Sequence, residues 1–146
     1  MASDPDRNDR DEHRASCRCG KLTAVASGDP VRVSVCHCLN CQKRTGSAFA
    51  MQARWPGDRV TTSGNPGVFR KVGDSGNWAD FHFCPDCGSD VWFVNGGPTL
   101  HPAAADSIAI PLGAFDDPHF ATPQFSVFES RKHEWLEING PGIHHD

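Results

Sequence analysis

The residues of this chain best suited to chemistry are its cysteines, which number seven among 146 residues. They form three clusters: Cys17 and Cys19, then Cys36, Cys38 and Cys41, and finally Cys84 and Cys87. A structural zinc site is closed by four protein ligands, whereas a catalytic zinc keeps three and leaves one position to water or substrate. Seven cysteines therefore predict one closed site and one open site, and we expect function at the open one.

The first and last clusters form the natural pair. Cys17 and Cys19 have the i, i+2 spacing that places both side chains on one side of an extended strand. Cys84 and Cys87 enclose a Pro-Asp turn, and Gly88 follows where a tight turn can require a positive φ. Neither pair closes a tetrahedral site alone, so we expect them to combine across the fold into one structural zinc site.

The middle cluster is then left as the open, catalytic zinc site. Cys36 and Cys38 repeat the strand spacing, and Cys41 adds the third sulfur. His37 is a poor fourth ligand, because neighbouring residues of a strand point to opposite faces. We expect His37 either to handle protons beside the metal and its substrate or to face away from the metal.

Two basic residues follow the middle cluster directly. Lys43 and Arg44 are candidates to bind a carboxylate of an acidic thiol substrate, since paired charges and hydrogen bonds favour such contacts. The alternative is a solvated basic pair on a loop.

Disulfide bonds and purely structural metal sites are competing explanations of the cysteines. An odd number of cysteines leaves one thiol unpaired, and no apolar leader opens the sequence. Disulfide bonds therefore explain the cysteine pattern less well than metal binding does. A purely structural role would need a further ligand for the middle cluster. Thiols clustered for metal, without a leader, predict a reducing cytoplasmic location.

Charge and hydropathy narrow the classes of partner. The formal net charge is -4, and the lysines and arginines are scattered along the chain. This pattern predicts neither nucleic-acid binding nor attraction to an anionic membrane. No apolar run approaches the roughly 18 residues that a membrane span needs.

The chain divides into a charged start and one domain. Residues 1–14 contain no apolar residue after Ala2, so we expect a disordered tail there. Residues 15–146 are expected to form one zinc-binding β domain, because a chain of this length buries a single core.

Short segments with strand character, separated by glycine and proline, predict an all-β fold of folded antiparallel sheets. After Cys41 we expect at most one turn of helix. In the best alternating segment, Val31, Val33 and Val35 share one face. In the next segment, Phe49, Met51, Ala53 and Trp55 continue the pattern. The predicted strand segments are 31–36, 46–55, 67–72, 79–84, 90–95, 107–112, 125–128 and 135–138.

Four motifs together resemble a known family. They are C-R-C-G at 17–20, C-H-C-L-N-C-Q-K-R-T-G-S-A-F at 36–49, F-C-P-D-C-G-S at 83–89 and P-L-G-A-F-D-D-P at 111–118. The sequence is identified from them as resembling the glutathione-dependent formaldehyde-activating enzymes, a family that includes centromere protein V, over residues 15–138. The resemblance implies a zinc-bound, barrel-like β fold similar to that of a Rab-GTPase chaperone.

The same resemblance implies a function. It assigns Cys17, Cys19, Cys84 and Cys87 to the structural zinc and the middle cluster to a catalytic zinc, which is the more labile of the two. The implied enzyme is a carbon-sulfur lyase like S-hydroxymethylglutathione synthase, with a small thiol and an aldehyde as partners. Two alternatives stay open: a β module that docks a protein partner, and a thiol redox sensor at the middle cluster.

Overall fold

Short strands separated by turns build two sheets in the computed structural model, which describes residues 11–146. The strands are β1 (Glu12–Ser16), β2 (Thr23–Ser27), β3 (Arg32–Cys36), β4 (Ala50–Pro56), β5 (Val60–Ser63), β6 (Gly67–Val72), β7 (Trp78–Phe83), β8 (Asp90–Gly96), β9 (Ser107–Pro111), β10 (Phe125–Val127) and β11 (His144–His145). One α-helix, α1 (Leu39–Thr45), and four short 3-10 helices at 57–59, 112–114, 118–120 and 129–131 connect them.

The smaller sheet has three strands in the order β1-β2-β5, and the larger has eight in the order β11-β10-β3-β4-β9-β8-β7-β6. Pairing is antiparallel except that β10 runs parallel to both β3 and β11. The all-β prediction is confirmed, and over residues 11–146 neither sheet closes into a barrel.

The core lies between the two sheets and is built by strand alternation. Val33 on β3 and Ala53 and Trp55 on β4 are buried in it, as the alternating pattern predicts. The prediction is wrong for Val31, which precedes β3 and is 56% exposed. The small sheet contributes mainly small side chains, among them Ala24 and Ala26. Because alternate residues of a strand face opposite sides, the other faces of β3 and β4 are free to line a site.

The predicted helix was too short. Helix α1 begins at Leu39, before Cys41, because the Cys38 side chain accepts a hydrogen bond from the Cys41 N–H and caps the first turn. Gly46 ends it with a φ of 64°, a left-handed conformation that suits glycine.

The strand predicted at 135–138 is wrong. Trp135 is 72% exposed, and the segment forms a turn in which the Leu136 carbonyl accepts a hydrogen bond from Lys132 Nζ at 2.9 Å. Without a neighbouring strand to bury one face, its apolar residues do not form a strand.

The expected tail at residues 1–14 lies mostly outside the described residues, but its last part is ordered. Glu12–Arg14 belong to β1, whose five residues all pair with β2. The His13 ring stacks on Phe120 with centroids 4.0 Å apart. The domain therefore begins before residue 15, because pairing and stacking stabilise a segment that has little apolar character of its own.

Within residues 11–146, no helix has both the length and the apolar character that crossing a membrane requires.

Candidate functional site

The first and last cysteine pairs meet as predicted. The sulfur atoms of Cys17, Cys19, Cys84 and Cys87 all lie within 4.8 Å of one another. The first pair lies in the turn between β1 and β2 of the small sheet, and the second lies in the turn between β7 and β8 of the large sheet. The four-cysteine cluster therefore links the two sheets.

Cys17 and Cys19 lie in a turn and not on a strand. Strand β1 ends at Ser16, and Cys17 starts a turn in which its N–H donates to the Leu22 carbonyl at 2.9 Å. The second pair has a similar turn, with the Cys84 N–H donating to the Ser89 carbonyl at 3.0 Å. The strand geometry predicted for Cys17 is thus replaced by a tight turn, which also brings the sulfur atoms of Cys17 and Cys19 close to those of the second pair.

The sulfur spacing of this cluster fits a tetrahedral metal site. Cys19 Sγ lies 3.6 Å from both Cys17 Sγ and Cys84 Sγ. Zinc–sulfur bonds of about 2.3 Å at tetrahedral angles place sulfur atoms about 3.8 Å apart. Backbone hydrogen bonds, first from Ser89, lower the pKa of Cys87 to about 5. The cluster can therefore hold a metal ion, and its size is compatible with zinc.

The middle cluster is also assembled. The sulfur atoms of Cys36, Cys38 and Cys41 lie within 4.8 Å of one another, at the end of β3 and the start of α1. Cys38 keeps an extended backbone, with φ -61° and ψ 154°, before the helix begins. Three donors hold a metal ion and leave a tetrahedral position for another ligand.

Local hydrogen bonds favour a thiolate in this cluster. The hydrogen bond from Cys36 lowers the pKa of the Cys38 thiol, and the N–H groups of Cys41 and Asn40 at the start of α1 act in the same direction. Nearby helix N–H groups stabilise the negative charge of a thiolate. Interaction with Cys38, together with burial, raises the pKa of Cys36 and of Cys41. Without a metal ion the cluster therefore favours one thiolate, at Cys38.

His37 is fully buried next to the cluster but is not part of it. Its Nε2 lies 2.9 Å from the Ser126 Oγ, and its ring nitrogens do not belong to the three-cysteine group. Burial lowers the pKa of His37 and keeps the ring neutral. These contacts favour the alternative in which His37 points away from the metal, and its role towards substrate stays a prediction.

Lys43 and Arg44 occupy different environments on α1. Lys43 is exposed, whereas the Arg44 side chain is only 9% exposed and lies 3.5 Å from Asp90. The Arg44 guanidinium also lies over the rings of Phe81 and Phe93, 5.2 Å from each centroid. Arg44 is therefore already paired within the protein, and its predicted contact with substrate stays untested.

A cleft of about 780 Å³ opens beside the middle cluster. Its floor is the outer face of β3 and β4, with Arg32, Ser34 and Cys36 on one strand and Gln52 and Arg54 on the other. Further lining residues are His101, Ala103, Ala104, Val127, Phe128, Ser130 and Asp146. Cys36 is the residue that belongs to both the three-cysteine cluster and the cleft lining.

Four of these floor residues were missed from the sequence. Arg32, Ser34, Gln52 and Arg54 alternate with buried apolar residues, so they share the face opposite the core. The signal was present in R-V-S-V-C and Q-A-R-W, where the same alternation that marks the core also marks a polar face ending at Cys36.

The floor carries positive charge at one end. Arg32 and Arg54 are paired opposite each other on β3 and β4. Burial, together with the charge of Arg32, lowers the pKa of Arg54 to about 10, so the Arg54 guanidinium group remains charged near neutral pH. Arg54 Nη1 donates to Ser107 Oγ at 3.2 Å.

Fold and site together define an all-β protein with a closed cluster of four cysteines and an open cluster of three beside a cleft. A family model described as glutathione-dependent formaldehyde-activating enzyme matches residues 12–131. The chain belongs to this family, whose description names an enzyme that acts on formaldehyde with glutathione. A comparison with curated proteins finds no match.

Proposed function

We propose that this protein is a zinc-dependent enzyme of the carbon-sulfur lyase type, which joins formaldehyde to a small thiol of the glutathione type. The observation that carries the proposal is the three-cysteine cluster whose Cys36 opens into a cleft, because a thiol that enters the cleft reaches the metal cluster there. The free thiols support a reducing compartment, such as the cytoplasm, as its location.

The two clusters would hold two zinc ions with different roles. Cys17, Cys19, Cys84 and Cys87 would close the structural site, and Cys36, Cys38 and Cys41 would hold the second ion. Zinc in the second site supplies a positive charge that keeps a substrate thiol deprotonated near neutral pH.

The charge of the three cysteines determines which chemical role suits the open site. Cys36, Cys38 and Cys41 donate up to three negative charges, which exceed the charge of a divalent ion, so the site is poorly suited to polarise a carbonyl group. It is better suited to orient a thiolate. The cleft walls bring thiol and aldehyde together, and such proximity can contribute several kcal/mol.

The thiol, the aldehyde and water account for every bond and proton in the reaction. The substrate sulfur gives an electron pair to the aldehyde carbon, a C–S bond forms, and the C=O π bond breaks. The thiol gives its proton to water before the C–S bond forms, and the resulting alkoxide takes a proton back from water in the open cleft, so the net change is addition of S–H across C=O. No oxidant or reductant is needed, and the reverse sequence cleaves the adduct.

The experiment is the rate of adduct formation from ¹³C-formaldehyde and glutathione, followed by NMR. Cys38→Ser tests the open site, and Ser47→Ala, an exposed residue beyond α1, is the matched control. We expect the control to match the unmodified protein and Cys38→Ser to reduce the rate to the background of the uncatalysed reaction. Equal rates with and without protein would contradict the proposal.

One observation favours a second candidate function, protein docking. Val68, Phe69 and Val72 are each more than half exposed on β6, the edge strand of the large sheet. An exposed apolar edge strand can pair with an extended segment of a partner protein. Phe69→Glu would abolish such docking without changing the rate of adduct formation.

A further inference from the structure

The floor of the cleft is an ordered series of paired residues. Ser34 lies opposite Gln52, and Arg32 lies opposite Arg54, in the antiparallel register that begins at Cys36. All five residues line the same cleft. Alternate residues of a strand are about 6.6 Å apart, so sulfur, neutral polar groups and positive charges succeed one another over about 13 Å.

In the pair of Ser34 and Gln52, one buried oxygen lacks a hydrogen-bond donor. Gln52 is 8% exposed, and its Nε2 donates to Ser34 Oγ at 3.4 Å. The buried Gln52 Oε1 accepts no hydrogen bond from residues 11–146. A buried acceptor without a donor costs about 1–3 kcal/mol, so this atom favours a ligand that brings an N–H group.

The pair of Arg32 and Arg54, at the end of the floor away from Cys36, lacks an anionic partner. Among residues 11–146, no carboxylate lies within ion-pair distance of Arg32 or Arg54. Arg32 instead stacks over Phe125 at 3.9 Å from the ring centroid. Asp146 lies at the cleft but is 73% exposed, and the ion-pair partner nearest to its carboxylate is the His144 ring, at 4.0 Å. Arg54 lies over Phe93 at 5.4 Å from the ring centroid, on the β8 side of the sheet. Two guanidinium groups without a carboxylate partner in one cleft can bind an anionic ligand.

The wall above this floor includes a strained residue. Phe128 has a φ of 56°, a left-handed conformation that is uncommon for bulky residues. Its side chain is 59% exposed and lines the cleft. Backbone strain of this kind is found where a side chain is held in place for a ligand.

We propose, building on the proposed function, that Gln52, Arg32 and Arg54 are the residues that select the thiol substrate. The substrate sulfur lies at Cys36, an amide N–H of the substrate donates to Gln52 Oε1, and its carboxylates bind the guanidinium groups of Arg32 and Arg54. The two arginines, and not the basic pair on α1, then select acidic thiols over small neutral or basic ones.

Calorimetric titration of the zinc-loaded protein with three ligands tests this inference. Glutathione has the thiol, amide and carboxylates, S-methylglutathione lacks only the thiol, and cysteamine has only the thiol and an amine. The variants are Arg32→Gln, Arg54→Gln and Gln52→Met, with Arg70→Gln on the edge strand β6 as the matched control.

Each arginine variant should weaken glutathione binding by about 10- to 100-fold, the loss expected for a charge-assisted hydrogen bond. It should weaken S-methylglutathione by the same factor and leave cysteamine unchanged. Gln52→Met should weaken the binding of glutathione and of S-methylglutathione. Arg70→Gln should leave the affinity for all three ligands unchanged. Unchanged glutathione affinity in both arginine variants would overturn the inference, and so would an equal loss for cysteamine.

The same titration separates this inference from the proposed function. If the thiol does not reach the metal cluster, S-methylglutathione will bind the unmodified protein as tightly as glutathione does. The arginine effect on S-methylglutathione would still report on the carboxylate site by itself. Arg54 is the more buried arginine, so Arg32→Gln provides the result if Arg54→Gln does not fold.

Discussion

Arg32 and Arg54 lie directly opposite each other on β3 and β4, with Cys36 four residues further along β3. Like charges placed opposite one another destabilise a sheet in the absence of a ligand. An anion bound by both groups would reduce that repulsion. The proposed carboxylate site would therefore make the open cysteine cluster selective for an acidic substrate.

The two cysteine clusters should differ in their effect on stability. Cys84 is buried in the core where the four-cysteine cluster joins the two sheets. Metal binding at a structural site contributes on the order of 10 kcal/mol to folding. We expect Cys84→Ser to unfold or aggregate the domain and Cys41→Ser to leave it folded with one tightly bound zinc. Thermal melting and zinc content measure both, and equal destabilisation would refute this division.

The start of the domain should contribute to stability through His13. Its ring stacks on Phe120 at 4.0 Å and lies 6.1 Å from the Trp55 ring. Aromatic pairs of this kind contribute about 0.5–1.5 kcal/mol beyond burial. His13→Ala should therefore lower the free energy of unfolding in urea by about that amount. Glu12→Ala, on the same strand but exposed, is the control, and an equal effect of both would contradict the stacking argument.

The pair of Arg70 and Asp80 predicts a pH effect. Arg70 Nε and Nη2 donate to the two Asp80 carboxylate oxygens at 2.7 and 3.0 Å and lower the pKa of that carboxyl. Because the folded pKa is depressed, the stabilisation is present above the unfolded value of about 3.9 and is lost as pH falls through the folded pKa. Arg70→Gln should raise the Asp80 pKa in an NMR titration. An unchanged Asp80 pKa would show that the pair does not persist in solution.

Arg44 should be a structural residue. It pairs with Asp90, whose pKa is raised by burial and would rise further without the nearby guanidinium. Arg44→Gln should destabilise the fold by about 1–3 kcal/mol, because it leaves a partly buried carboxylate unpaired. Asp90→Asn in the Arg44→Gln background should recover part of that loss. If Arg44→Gln instead weakened glutathione binding at unchanged stability, the original prediction for Arg44 would hold.

Much of the fold follows from local patterns. Cysteine spacing predicted both clusters, and alternation predicted the two central strands and the buried Val33 and Trp55. Gly88 adopts a φ of 80°, as its place in the last cysteine turn predicts.

The small sheet was not predicted because its strands are individually weak. Ala15, Ala24 and Ala26 are fully buried, yet alanine is a poor strand former and carries little signal. These strands form because pairing and the four-cysteine cluster hold them against the large sheet. Their stability comes from tertiary contacts, which a local sequence pattern does not reveal.

The cleft beside the middle cluster was not predicted, for a related reason. Lys43 and Arg44 were chosen because they are close to Cys41 in sequence. Arg32 and Arg54 are distant in sequence from each other and meet only through strand register. Proximity along the chain is a poor guide to a site on a sheet, where the neighbours of a residue lie on the adjacent strand.

The most direct test of the account is zinc-edge X-ray absorption of the purified protein, recorded alone and with glutathione or S-methylglutathione. The account predicts that glutathione raises the average number of sulfur ligands per zinc, because its thiolate takes the open position beside Cys36, and that S-methylglutathione leaves the spectrum unchanged. An unchanged spectrum with saturating glutathione would contradict the account, because the substrate sulfur would then not reach the metal.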